Sequence, residues 1–143
     1  MIRKASLPLL LLAAGCSTLV IDSVEQLRET NKRNIAQLSV GMPRAEVEKR
    51  MGEGRAGGKL GDVLFGRVRH LEVKNPMRVE HLAGSDGARY DVVFYYTDLK
   101  TRDDKITDDE LTPVVFRDHE LAGIGCGFLG LHVPKYAGSA RLQ

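Results

Sequence analysis

Near Val63 the spacing of apolar residues changes from steps of three and four to steps of two, and this switch constrains the fold more than any other feature of the chain. Ahead of it, Val24, Leu27, Asn31, Ile35 and Leu38 form a narrow stripe on a helix of roughly four turns. Asp22 or Ser23 can cap that helix, with Glu25 or Gln26 completing a capping box. Glu25, Arg28, Glu29, Lys32 and Arg33 then face water, and Gly41 supplies a left-handed stop. Pro43 starts a second, shorter helix with Val47 and Met51 inward and Gly52 at its end, because a first turn loses nothing by lacking one N–H.

Beyond the switch, segments 63–73 and 77–82 are expected as strands, and Asn75-Pro76 between them marks an edge, bulge or turn. Ser85-Asp86-Gly87 reverses the chain. Arg89 to Thr97 sets Val92, Phe94 and Tyr96 on one side and Val93 and Tyr95 on the other, which marks the strongest strand and a central one. Asp98 to Glu110 reads as a long polar loop, a kind of segment that is often functional or mobile. Thr112–Phe116 and Glu120–Ile124 flank Asp118-His119 as a tight antiparallel hairpin. Helices followed by antiparallel strands predict an α+β fold: two N-terminal helices packed on a small antiparallel sheet of three to four strands. The other sheet face is left as a binding surface, including whichever of Tyr90, Tyr95 and Tyr96 are exposed. The Asp98–Glu110 loop is a second such surface.

Residues 1–22 belong to a different regime. Arg3 and Lys4 precede an apolar run of about ten residues that ends at Ala13-Ala14-Gly15-Cys16. A spanning helix needs ~20 apolar residues, whereas here polar Ser17, Thr18 and Asp22 follow at once. The run resembles a bacterial lipoprotein signal whose lipobox ends at an acylated cysteine. That resemblance implies cleavage before Cys16, diacylglycerol on its thiol and a third chain on the new amino terminus. Two or three chains hold a protein at a bilayer where one is marginal. Ser17, in place of the Asp that tends to retain such proteins at the inner membrane, implies the periplasmic face of the outer membrane of a Gram-negative bacterium. The expected organisation is a signal peptide at 1–15, a lipidated tether at 16–22, one α+β domain at 23–134 and a flexible tail at 135–143.

Composition removes several functions. The chain has 21 basic and 19 acidic residues; without Arg3 and Lys4 the balance is 19 to 19, so the mature part has no basic excess for nucleic acid. With Cys16 acylated, Cys126 has no internal disulfide partner, and its setting in Gly-Ile-Gly-Cys-Gly-Phe-Leu-Gly favours inert burial over an intermolecular bond. His70, His81, His119 and His132 lack paired ligand spacing, so no metal is expected. The acids of 98–110 lack calcium-loop spacing. Gly52-Glu53-Gly54-Arg55-Ala56-Gly57 spells a dinucleotide fingerprint in the wrong context, after a helix instead of a strand, and reads as a mobile connector. No nucleophile motif occurs. No catalytic residue, no metal and no small-molecule cofactor is expected.

The segment Leu38-Ser39-Val40-Gly41-Met42-Pro43-Arg44-Ala45-Glu46-Val47 through Met51-Gly52, followed later by Val114–Gly125, resembles the Gly-Met helix signature and closing hairpin of the SmpA/OmlA (BamE-like) lipoproteins. A closer resemblance is to a proteobacterial lipoprotein family without an assigned role, through Asn31–Leu38 and Leu111-Thr112-Pro113-Val114-Val115-Phe116. Pro43 stands where those proteins usually carry a capping Ser or Thr, and the proline after the helix-ending glycine is missing, which weakens any carry-over of partner contacts. The resemblance implies a non-catalytic, lipid-anchored envelope protein that binds a protein partner as an accessory factor of outer-membrane assembly. The alternative is an inhibitor or ligand-binding module acting on an envelope enzyme, and after it an envelope hydrolase. Cys16 is the only site residue the resemblance carries over.

Overall fold

The computed structural model describes residues 24–60, 69–101, 103 and 105–138. The signal, Cys16, the tether and the cap expected at Asp22 or Ser23 therefore lie outside the described residues. Helices α1 (Val24–Ile35) and α2 (Arg44–Met51) come first, then strands β1 (Gly54–Leu60), β2 (Arg69–Asn75), β3 (Arg78–Ala83) and β4 (Arg89–Tyr96). A 3-10 turn at Asp108–Glu110 leads into β5 (Leu111–Arg117), β6 (Glu120–Ile124), helix α3 (Gly125–His132) and a last 3-10 turn at Pro134–Tyr136. The α+β class holds. The strands form two antiparallel sheets, one of β1–β2 and one in the order β3-β4-β5-β6.

β4 is interior, as its sequence requires. Tyr90, Val92, Phe94 and Tyr96 join one apolar cluster with Val24 and Leu27 of α1, Ala56 and Val73 of the small sheet, and Leu129 of α3. Val93 and Tyr95 join a second cluster with Val47 and Met51 of α2, Val114 and Phe116 of β5, and Leu121 of β6. The central strands are thus buried on both faces, which is why Tyr90-Asp91-Val92-Val93-Phe94-Tyr95-Tyr96 is nearly continuous in apolar residues. The expected open sheet face does not exist here: Tyr90, Tyr95 and Tyr96 are 2 %, 1 % and 4 % exposed. Two helices cannot cover one face when the short second helix and the 38–42 segment go to the opposite one.

Several boundaries also move. α1 ends at Ile35, about a turn before Leu38, because Gln37 and Leu38 donate to the carbonyls of Asn34 and Ile35 in tight turns. Gly41, at φ +87°, does not end the helix; its N–H donates to Leu121 O across the chain reversal. The glycine run is no connector but strand β1, paired with β2 from Gly54↔Asn75 to Leu60↔Arg69. Its glycines admit a helix: a Cβ on Gly58 would meet Val24 Cγ2 at 3.0 Å. The strand expected at 63–73 begins at Arg69, with 61–68 outside the described residues.

The hairpin at Asp118-His119 is tight as expected, with both residues at positive φ, 51° and 66°, the geometry of a type I′ turn. Helix α3 is unexpected, since Gly125, Gly127 and Gly130 argue against one. Tertiary contact supplies what propensity lacks: Leu129 is buried, the Phe128 ring stacks on His132 at 3.9 Å, and it lies so close over Gly123 that any Cβ there would collide with it. The chain stays folded past the expected start of the tail at 135, since the Tyr136 hydroxyl is 2.9 Å from both carboxylate oxygens of Glu80. Residues 139–143 lie outside the described part.

Candidate functional site

The reversal at 84–88 determines where the polar chemistry gathers. Gly84 N–H donates to Ala88 O, and the β3–β4 register that follows places His81 opposite Asp91 and Ala83 opposite Arg89. Asp91 in turn lies opposite Phe116 of β5. These residues, with Asp118 and His119 of the neighbouring turn, line an open cleft of about 650 Å³.

A chain of charges runs from its lining into α2. His81 Nδ1 is 2.6 Å from Asp91 Oδ1, Arg44 Nη1 donates to Asp91 Oδ2 at 2.5 Å, and Arg44 Nε donates to Glu48 Oε1 at 2.7 Å. The Arg44 guanidinium also stands 5.3 Å from the centre of the Phe116 ring, and its backbone N–H donates to His119 O. One side chain in the first turn of α2 therefore ties the helix to both β4 and β5. The hydrogen bond from His81, and then the one from Arg44, holds the Asp91 carboxyl below the usual carboxylate range, against the opposing effect of burial. A carboxylate only accepts, so the His81 proton sits on Nδ1 and leaves Nε2 as the free ring nitrogen.

A histidine oriented by an aspartate can act as a base when a nucleophile stands within reach. Here no serine, threonine or cysteine is among the described residues that line the cleft. Among the described residues no group of three or more His, Cys, Asp or Glu side chains is placed to hold a metal ion. Sequence reasoning named His81 and His119 as histidines without metal-ligand spacing and missed the pairing of His81 with Asp91. The signal was present in Ser85-Asp86-Gly87, since a tight reversal there sets residues 81 and 91 across from each other.

The other expected sites fall elsewhere. The 98–110 loop is organised around Glu110, 1 % exposed. One carboxylate oxygen accepts N–H bonds from Lys100 at 2.8 Å and Thr101 at 3.4 Å, and the other accepts from Thr107 at 2.9 Å. Cys126 is half-buried at the start of α3 and unpaired, with burial pushing its thiol pKa up, so the unreactive thiol form prevails. Cys16 is not described. Asn31 is fully buried; its amide donates to Asn75 Oδ1 at 3.1 Å and Tyr96 O at 2.9 Å, and Asn75 reaches on to Met51 O and Gly52 O. That network joins α1, α2, β2 and β4, so the polar member of the first stripe is structural. Among the described residues no helix is long and apolar enough to cross a membrane.

A family model described as "Protein of unknown function (DUF3192)" matches residues 21–127. No curated protein and no solved structure matches the chain.

Proposed function

The chain belongs to the DUF3192 family, and from that premise we propose that it is a lipid-anchored protein of the Gram-negative envelope that binds a protein partner and performs no chemistry of its own. The observation that carries this reading is Cys16, at the end of an apolar run and only eight residues before the first residue of α1. Acylated there, the domain would hang from the membrane on a tether no longer than roughly 28 Å, within reach of whatever lies at the periplasmic surface. The α+β architecture supports the proposed kinship with the SmpA/OmlA lipoproteins. A cleft whose His81 is bound to Asp91, itself held from behind by Arg44, with no serine, threonine or cysteine among its described lining residues, supports binding in place of catalysis.

The test is labelling with a clickable palmitate analogue and membrane fractionation of the native chain and Cys16→Ala. Label and outer-membrane sedimentation in the native chain, both lost in the variant, are the expected results. A native chain that carries no label and stays in the soluble periplasm would overturn the anchored reading. Crosslinking in intact cells with mass spectrometry then asks whether outer-membrane assembly components co-purify with the anchored form alone.

A further inference from the structure

The two edges of the four-stranded sheet are treated differently. At the β6 edge the chain closes on itself: Gly41 N–H donates to Leu121 O, Leu121 N–H to Met42 O and Arg44 N–H to His119 O, with Pro43 bridged to Glu120. β3, at the other edge, has no such cover among the described residues. Because Gly84 and Ala88 form a hydrogen-bonded pair, the antiparallel alternation turns the N–H and C=O groups of Leu82 and Glu80 toward β4 and those of Val79, His81 and Ala83 outward. Beyond the ladder, no backbone hydrogen bond among the described residues reaches these three.

The same three residues carry exposed side chains on the α2 side of the sheet, Val79 at 44 % and the His81 side chain at 72 %. The apolar cluster under α2 includes β4, β5 and β6 but no residue of β3. Arg89, across from Ala83 and exposed, has no ion pair among the described residues. The inward charges of this strand, Arg78 and Glu80, are already paired with each other, Asp108 and Lys135 on the covered face, and no bulge interrupts its centre, so the outward groups of an edge of this length remain a template for another strand.

We propose that the β3 edge receives an extended segment of a partner protein, which adds as a fifth strand, covers Val79 and Ala83, and sets a carboxylate beside Arg89. A second copy of this chain fits less well. Two-fold pairing that uses all three outward residues opposes His81 to His81 and Glu80 to Leu82, and gives Arg89 no partner. Pairing centred on Val79 leaves one reciprocal pair of hydrogen bonds, because Met77 N–H is already donated to Phe94 O. The inference rests on the protein-binding reading above and assigns it a place in the fold.

The probe is a blocked heptapeptide of alternating threonine and valine with glutamate as its second residue, which antiparallel pairing over residues 78–84 places opposite Ala83 in the row of Arg89, added to the full purified chain in detergent micelles. Site-resolved amide exchange should slow by about ten-fold at Val79, His81 and Ala83 and remain unchanged along β6. Lysine in place of the glutamate should weaken binding by about five-fold, the scale of one cross-strand charge pair. N-methylation of the peptide on its protein-facing edge should abolish it. Val79→Pro removes an outward N–H while sparing the ladder and should abolish it too; if that variant does not fold, the N-methylated peptide decides.

Unchanged exchange at the three amides overturns the proposal. So does their protection without peptide, whether in a dimer or through residues 139–143, since either would show the edge already occupied. Loss of Cys16 labelling would instead overturn the anchored reading and leave the peptide result standing.

Discussion

At the scale of single residues, Arg44 and Asp91 show how one side chain position couples layers. The depressed Asp91 pKa means that ionised Asp91 stabilises the fold above the ordinary carboxylate range, and that this contribution disappears as pH falls through the lower, folded value. Asp91→Asn is therefore expected to cost about 1 kcal/mol at pH 7, where partly exposed pairs are worth little more, and the gap to the native chain should narrow as pH falls below the ordinary carboxylate range. Urea unfolding of both chains at neutral and low pH checks it; a gap of equal size at low pH would show that the side chain matters by shape instead of charge. Glycines give a second contrast. Gly123→Ala places a methyl against the Phe128 ring and should cost about 1–3 kcal/mol. Gly127→Ala meets nothing within 4 Å and should stabilise α3 by roughly 0.5–1 kcal/mol. Thermal unfolding of the pair distinguishes a packing role from mere tolerance of glycine.

At the scale of elements, the 98–110 segment was legible as polar and long, but its order was not. A run containing Asp98, Asp103, Asp108, Asp109 and Glu110 looks like solvated charge, and nothing in composition says that one of these carboxylates is buried and gathers three backbone N–H groups. Glu110→Ala leaves those donors without their acceptor and should cost about 3 kcal/mol, the scale of a buried charged hydrogen-bond hub. Amide exchange at Lys100, Thr101 and Thr107 should accelerate well before global unfolding. If those amides keep their native protection, the loop is held by something other than Glu110. α2 and the Asp118-His119 hairpin were readable because local chemistry dictates them: a proline at the start, a glycine at the end, a two-residue turn. α3 and β1 were not, since glycine-rich segments take their conformation from what packs against them, Phe128 over Gly123 and Val24 over Gly58.

At the scale of the whole molecule, the two apolar clusters lie on opposite faces of the same strands and share β4 and β5. They should therefore melt together. Val47→Ala and Val73→Ala, one in each cluster and both fully buried, should each lower a single cooperative transition by about 1–3 kcal/mol. Two separable transitions by circular dichroism and tyrosine fluorescence would show that α2 or the β1–β2 sheet forms an independent layer.

The sequence by itself determined the α+β class, the order of helices before strands, the interior position of β4 and the reversal points, because periodicity and turn chemistry act over a few neighbouring residues. It also carries the cysteine on which the proposed anchoring depends. Only tertiary structure decided that the strands divide into two sheets, that both faces of the larger one are covered at its central strands, and that one edge is sealed while β3, among the described residues, stays open. It also brought His81, Asp91 and Arg44 together from three elements. Each of these depends on which surface meets which across tens of residues, and a face buried by a distant helix carries the same alternation as a face left to water.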